Sequence, residues 1–313
     1  MKKEKNHFIH EIFWELCLKI PHKNAAIVEE FNLKSGAVGF HEILYQEGEI
    51  EDLETSVQYY YFRHNFPVKA YIVMTLALLK LEDCFWEVRE TKYEDFLKNM
   101  RETFKSFEIA PHFWVIPDWE SKTFIKSKSE NDKFIIIRPA FAFGTGLHET
   151  TKLMIEMMLD DKYGVMKNDR ALDMGCGSGI LSISALIFGA QNAIGVDNDI
   201  LSVESSIENL GYNTALQKIQ DEALFFEGDF SFYSSYYKNH PQPDIFLSNI
   251  LPDVFMQNEN EMKEIINKIP RLILSGIVEE RAKEFQNWLE KIAPERKFHS
   301  KNLGGWFVFY SKS

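Results

Sequence analysis

From Arg170 to its end the chain alternates short apolar strands with amphipathic helices, and this rhythm restricts the possible folds more than any other feature. RALDM (170–174) reads as a strand and GILSISALIFGA (179–190) as a helix. AIGVDN (193–198) is the next strand, ILSVESSIENLGY (200–212) a helix, and ALFFEG (223–228) a third strand. After the turn HPQP (240–243) come the strand DIFLSNI (244–250), the helix EMKEIINKI (261–269), the strand RLILSGI (271–277) and the helix VEERAKEFQNWLEKI (278–292). KFHSKNL and GWFVFYSK then form a hairpin turned at Gly304-Gly305. Parallel neighbours need a crossover, usually helical, whereas a hairpin joins antiparallel ones. The expectation is an α/β domain: a doubly wound, mostly parallel seven-stranded sheet with an antiparallel edge. In such sheets ligands sit at the carboxyl ends of the strands, near the point where strand order reverses.

The first part of the chain has a different order. Strand 12–20, helix 23–33, strands 36–46 and 56–64, helix 68–82 and strand 84–90 give βαββαβ, the order of a ferredoxin-like α+β module. YEDFLKNMRETFKSF (93–107) reads as an amphipathic connecting helix leading to HFWVIPDWE (112–120). The expected division is a ferredoxin-like domain at 1–92, a linker helix within 93–110 and the catalytic α/β domain at 111–313.

Bulk properties exclude some functions. The formal net charge is −12, which disfavours direct nucleic-acid binding and suits a basic macromolecular partner. Cys17, Cys84 and Cys176 are widely separated and show no CxxC or zinc spacing, so neither a disulfide framework nor a metal site is expected, and a reducing cytoplasm fits. The amino terminus starts basic, but Glu11, Glu15 and Lys19 interrupt any signal-peptide core. AYIVMTLALL (70–79), the longest apolar run, is about half of a membrane span and reads as a buried helix. The expected assembly is a monomer.

The chemistry concentrates at strand ends. DMGCGSG (173–179) joins the first α/β strand to its helix. Gly175 and Gly177 can turn with positive φ and let a ligand approach the backbone, and Gly179 opens a helix whose amides favour an anion. The next strand ends at Asp197, whose carboxylate suits the two hydroxyls of a ribose. An adenosine-type cofactor follows. The spacing is GxGxG, with Ile180 where a dinucleotide fingerprint would place its last glycine. Asp229, after the third strand, is a candidate for the adenine or a turn-capping residue. SNILPD (248–253) puts Asn249 at the fourth strand end; the position resembles that of the (N/D)PPY motif of methyltransferases that grip a flat amide or base nitrogen, and Ile250-Leu251 in place of its two prolines implies a flexible amine instead. Upstream, AFGTGLHETT (142–151) is a flexible, hydroxyl-rich hinge bearing Thr145 and Thr151; Leu147 after Gly146 excludes a phosphate-binding P-loop. His148 is either a general base or a residue that holds the loop's shape, and the second reading is preferred.

GxGxG after a strand-end acid, with a terminal hairpin, resembles the class I S-adenosylmethionine-dependent methyltransferases. AFGTGLHETT, DMGCGSGILSI, SNIL and RLILSGIVEE, in that order, closely resemble the PrmA-type enzymes that trimethylate large-subunit ribosomal protein eleven. The resemblance implies S-adenosylmethionine as cofactor, held by Thr151, Gly175, Asp197 and Asn249, with Gly177 and Thr145 in the same pocket and Asn249 also at the reacting centre. It implies transfer to lysine or amino-terminal amines of that ribosomal protein, presented by the amino-terminal module. The sequence departs from the family in YYYF (59–62), in ETKYEDF (90–96), in the charged insertion DDKYGVMKND (160–169) and in Pro252. The alternatives are a different protein lysine or a small-molecule amine as acceptor, a non-catalytic binding module, and a dinucleotide dehydrogenase, the last opposed by GxGxG.

Overall fold

A computed structural model describes residues 12–42, 55–139, 148–217 and 223–313. They fall into two compact units, the first up to Phe104 together with Pro139 and the second from Lys105 to Arg138 and from His148 onward.

The first unit runs β1 (Ile12–Pro21), α1 (Ala25–Lys34), β2 (Gly39–Glu42), β3 (Thr55–Arg63), α2 (Val68–Leu78), β4 (Phe85–Lys92) and α3 (Tyr93–Thr103). All strand pairs are antiparallel and the order is β2-β3-β1-β4, the ferredoxin-like arrangement. Period-two alternation directs Leu16, Leu18, Ile20, Tyr60 and Phe62 onto Val28 of α1 and Val68, Ile72 and Leu76 of α2. The aromatic run at 59–62 is explained by a strand covered on both faces. Tyr60 and Phe62 face the helices, while Tyr61 meets the ring edge of Phe96 from α3 at 5.0 Å. Beside Tyr61, the buried Glu15 pairs with Arg89 at 2.5 Å.

The second unit opens with a three-stranded sheet, β5 (Phe107–Ala110), β6 (Phe113–Pro117) and β7 (Lys133–Ile137), with α4 (Ser121–Ser127) between the last two. After α5 (Glu149–Met158) come β8 (Arg170–Met174), α6 (Ile180–Phe188), β9 (Asn192–Asp197), α7 (Ile200–Gln217), β10 (Ala223–Glu227), α8 (Ser231–Tyr236), β11 (Ile245–Asn249), α9 (Pro252–Gln257), α10 (Glu259–Lys268), β12 (Arg271–Val278), α11 (Glu279–Ile292), β13 (His299–Leu303) and β14 (Trp306–Lys312). The main sheet has seven strands in the order β10-β9-β8-β11-β12-β14-β13, parallel except where β14 pairs with β12 and β13. This is the sheet of class I methyltransferases, and order reverses between β8 and β11. Leu172, Met174, Val196, Phe246, Leu272 and Leu274 join Phe255, Met262, Ile265, Phe285 and Leu289 of α9–α11 in one core. α5, α6 and α7 also pack on these strands.

Several elements differ from the sequence expectation. The helix read over 93–107 ends at Thr103, and 107–110 becomes a strand, because Ser106 gives its N–H and hydroxyl to Glu120 Oε2 at 2.9 and 2.8 Å. α7 continues to Gln217 past Gly211. The short helices α8 and α9 lie in stretches to which the sequence reading assigns no element. The strand read over 36–46 is seen at 39–42, and its remainder lies outside the described residues. No helix among the described residues is long and apolar enough to cross a membrane.

Candidate active site

Register brings the expected residues to one line. Met174 of β8 pairs with Val196 of β9 and with Ser248 of β11. One residue further along these strands lie Gly175, Asp197 and Asn249. Three motifs far apart in sequence thus end in one row across the point where strand order reverses.

The glycine loop is held from several sides. Gly175, Gly177 and Gly179 have φ of 78°, 53° and 78°, the left-handed region that favours glycine. A Cβ on Gly175 would stand 2.3 Å from Cγ2 of Ile250, so Ile250 lies directly on the loop. Ile250 is wedged from the other side too: Gly276, at φ 89° in the irregular stretch of β12, leaves no room for a Cβ beside the Ile250 carbonyl. Ser206 Oγ donates to the Gly177 carbonyl at 2.8 Å, and Asn209 Nδ2 to the Ser178 carbonyl at 2.9 Å. The same helix holds β7, the strand that leads into the hinge. Asn213 Oδ1 accepts from Ile136 N at 2.8 Å, its Nδ2 donates to Ile136 O at 2.7 Å, and Asn209 Oδ1 accepts from Arg138 N at 2.8 Å.

Asp197 Oδ2 accepts from Gly177 N at 2.9 Å and Oδ1 from Asp199 N at 3.0 Å. Each oxygen keeps a lone pair for a further donor. Burial raises the Asp197 pKa, while the two N–H groups oppose the rise. Asp229 does what a turn residue does: its Oδ1 accepts from Ser231 N and Oγ at 2.8 and 2.6 Å, opening α8, and these bonds hold its pKa down.

Of the hinge, residues 142–147 lie outside the described residues, and with them Thr145. His148 to Thr151 begin α5. Thr151 is buried, and among the described residues its hydroxyl has no hydrogen-bond partner. Asn249 Nδ2 donates to Thr150 Oγ1 at 3.0 Å, and Thr150 Oγ1 lies 2.6 Å from His148 Nδ1.

Two groups escape the sequence reading. Thr150 reaches Asn249 from 99 positions away, a pairing without local trace. Asp173, fully buried at the start of the glycine motif, takes Ser182 N and Oγ on Oδ2 at 3.0 and 2.7 Å, while its Oδ1 has no partner among the described residues. Desolvation pushes its pKa up to about 7. The signal was its place immediately before the glycines. Two buried oxygens without partners among the described residues, Thr151 Oγ1 and Asp173 Oδ1, suit a ligand with a polar amino-acid end, so the residues present fit S-adenosylmethionine. Among the described residues no group of three or more His, Cys, Asp or Glu is placed to hold a metal ion.

The sequence matches the family described as Ribosomal protein L11 methyltransferase (PrmA) over residues 7–312. The chain belongs to this family. A PrmA relative named ribosomal protein L11 methyltransferase from Thermosipho melanesiensis is 32% identical over 249 residues, covering 76% of this chain and 87% of that one. Another of that name, from Thermosipho africanus, is 35% identical over 204 residues, covering 65% and 70%. Among solved structures, a ribosomal protein L11 methylase from Lactobacillus delbrueckii subsp. bulgaricus superposes with a TM-score of 0.54 at 21% identity, over 67% of this chain and 98% of that one, a likeness of fold. As a PrmA family member with the class I sheet, the chain is an S-adenosylmethionine-dependent protein methyltransferase.

Proposed function

We propose that this chain transfers methyl groups from S-adenosylmethionine to lysine or amino-terminal amines of ribosomal protein L11, in the cytoplasm, with the amino-terminal unit recognising the substrate. The row formed by Gly175, Asp197 and Asn249, in a chain of the PrmA family, carries this reading. S-adenosylmethionine supplies a methyl group on a cationic sulfur, a good leaving group, so alignment does much of the catalysis. Asp197 would take the ribose hydroxyls on its remaining lone pairs. Gly175 and Gly177 would let the backbone close on the cofactor. The Thr151 hydroxyl, with Asp173 Oδ1 nearby in the motif and Thr145 on the hinge, would hold the polar methionine end.

Asn249 Oδ1 would accept an N–H of the incoming amine and aim its lone pair. An ammonium must first lose a proton, its ordinary pKa being about 10.4. His148 is poorly placed to take it, since Nδ1 is already engaged by Thr150. Ile250 and Leu251 beside Asn249 make an apolar border that favours the neutral amine, so water suffices as the proton's destination.

The test is mass spectrometry of purified ribosomal protein L11 after incubation with this protein and S-adenosylmethionine, with Asn249→Ala in parallel. Mass gains in steps of one methyl, lost in the variant, are expected. No gain, with cofactor binding still measurable by calorimetry, would keep the methyltransferase and point to another amine.

A further inference from the structure

The bonds around Thr150 have a direction. The Thr150 N–H donates to His148 Nδ1 at 3.2 Å. An N–H can only donate, so Nδ1 carries no proton, and the neutral ring keeps its proton on Nε2, 3.7 Å from Glu149 Oε2. The Thr150 hydroxyl, 2.6 Å from Nδ1, must therefore give its proton to the ring. Its oxygen is left as an acceptor, and Asn249 Nδ2 fills it at 3.0 Å. The backbone of one residue thus fixes the whole sequence: Asn249 amide to Thr150 hydroxyl to His148 imidazole. The ring itself is clamped. Trp306, almost wholly buried at the start of β14, meets it edge-to-face at 4.9 Å, and the turn at Gly304 packs so closely on Glu149 that a Cβ there would stand 2.8 Å from Glu149 Cγ.

We propose that Thr150 and His148 are positioning residues that lock the Asn249 carboxamide with its nitrogen turned away from the acceptor and its oxygen toward it. Without the lock the amide can rotate by half a turn and present N–H groups to the amine, which would hydrogen-bond the lone pair needed for attack and leave the amine's own N–H ungripped. Thr150 acts through Asn249. The inference rests on Asn249 as the amine-gripping residue and adds what decides which of its two faces is offered.

The experiment compares Thr150→Val, which keeps shape and loses the hydroxyl, with Thr150→Ser, which keeps the hydroxyl. Two readouts are taken: steady-state methylation of ribosomal protein L11, and the side-chain amide resonances of Asn249 in protein labelled with 15N-asparagine, assigned with Asn249→Asp. Thr150→Val should lower kcat by about 100-fold, as misorientation of a reacting group does, with calorimetric cofactor affinity falling far less. Its Asn249 amide protons should lose their slowed exchange with water. Thr150→Ser should restore both. Should Thr150→Val fail to fold, Thr150→Ala carries the same comparison at this solvent-shielded helix start. Amide resonances indifferent to the hydroxyl, or a Thr150→Ser variant as slow as Thr150→Val, would overturn the lock. If wild-type protein methylates no amine while the resonances shift as described, the proposed reaction fails and the lock stands.

Discussion

At the scale of single residues, the candidate site was legible where a strand ends. Gly175, Asp197 and Asn249 each follow an apolar run whose end the sequence marks, and pairing register carries them into one row. Thr150 and Asp173 were not legible as site residues, because their roles depend on partners found or lacking only in three dimensions. Two predictions belong here. Asp197→Ala removes the proposed ribose acceptor and the anchor of Gly177, and should weaken S-adenosylmethionine binding by about 100-fold in calorimetry, two charged hydrogen bonds being worth that or more. Unchanged affinity would remove Asp197 from the site. Asp173 makes the second. Its folded pKa, about 7, lies above its ordinary 3.8, so the protonated acid favours folding at low pH. That contribution is lost as pH climbs from about 4 through about 7. Asp173→Asn stays neutral and keeps an acceptor for Ser182. It should gain on the order of 2 kcal/mol over wild type between pH 5 and pH 8 in urea unfolding. A difference that does not change with pH would show that the carboxyl is not held neutral.

At the scale of elements, the alternating strands and helices from Arg170 onward read true, five-residue strands included, and the misses lie where that alternation gives no guide. β12, buried at every position, shows as the mostly apolar run RLILSGIV, and α11 as a clear amphipathic stripe. The first strands of the second unit were missed because β5 is four residues long and follows a convincing helical pattern. α8 and α9, six residues each, are too short for periodicity to declare them. The charged insertion before β8 turns out to be anchored. Asp160 Oδ1 accepts from Lys162 N and Tyr163 N, Tyr163 packs on Tyr310, and Asp169 meets the buried Arg271 at 2.7 Å. Arg271 also reaches the Gly164 carbonyl, so the segment is stitched to β12. Asp169→Ala leaves a buried guanidinium without its charge partner and should cost about 3–5 kcal/mol in urea unfolding. A loss below about 1 kcal/mol would mean that water reaches Arg271 freely.

At the scale of the whole molecule, the class I sheet and the ferredoxin-like module both followed from element order, since handed crossovers leave few ways to arrange these strands. The charge of −12 has a kinetic counterpart. A basic ribosomal protein should be drawn in by the field, so kcat/KM for it should fall several-fold as salt rises from low to physiological strength, with kcat little changed. Indifference to salt would assign recognition to uncharged contacts. One further property of the molecule in solution lies in α7. β7 is the outer strand of its sheet and reads KFIII, a β-rich run with a single charge. A bare margin of that kind invites another chain to lie alongside it and begin a fibril. Here the carboxamide of Asn213 takes both the N–H and the C=O of Ile136, and Asn209 takes the N–H of Arg138. Two side chains imitate the backbone of a neighbouring strand and then stop, so the peptide groups at Ile136 and the N–H of Arg138, which could recruit a second molecule, are already taken by a helix that cannot be extended into a sheet.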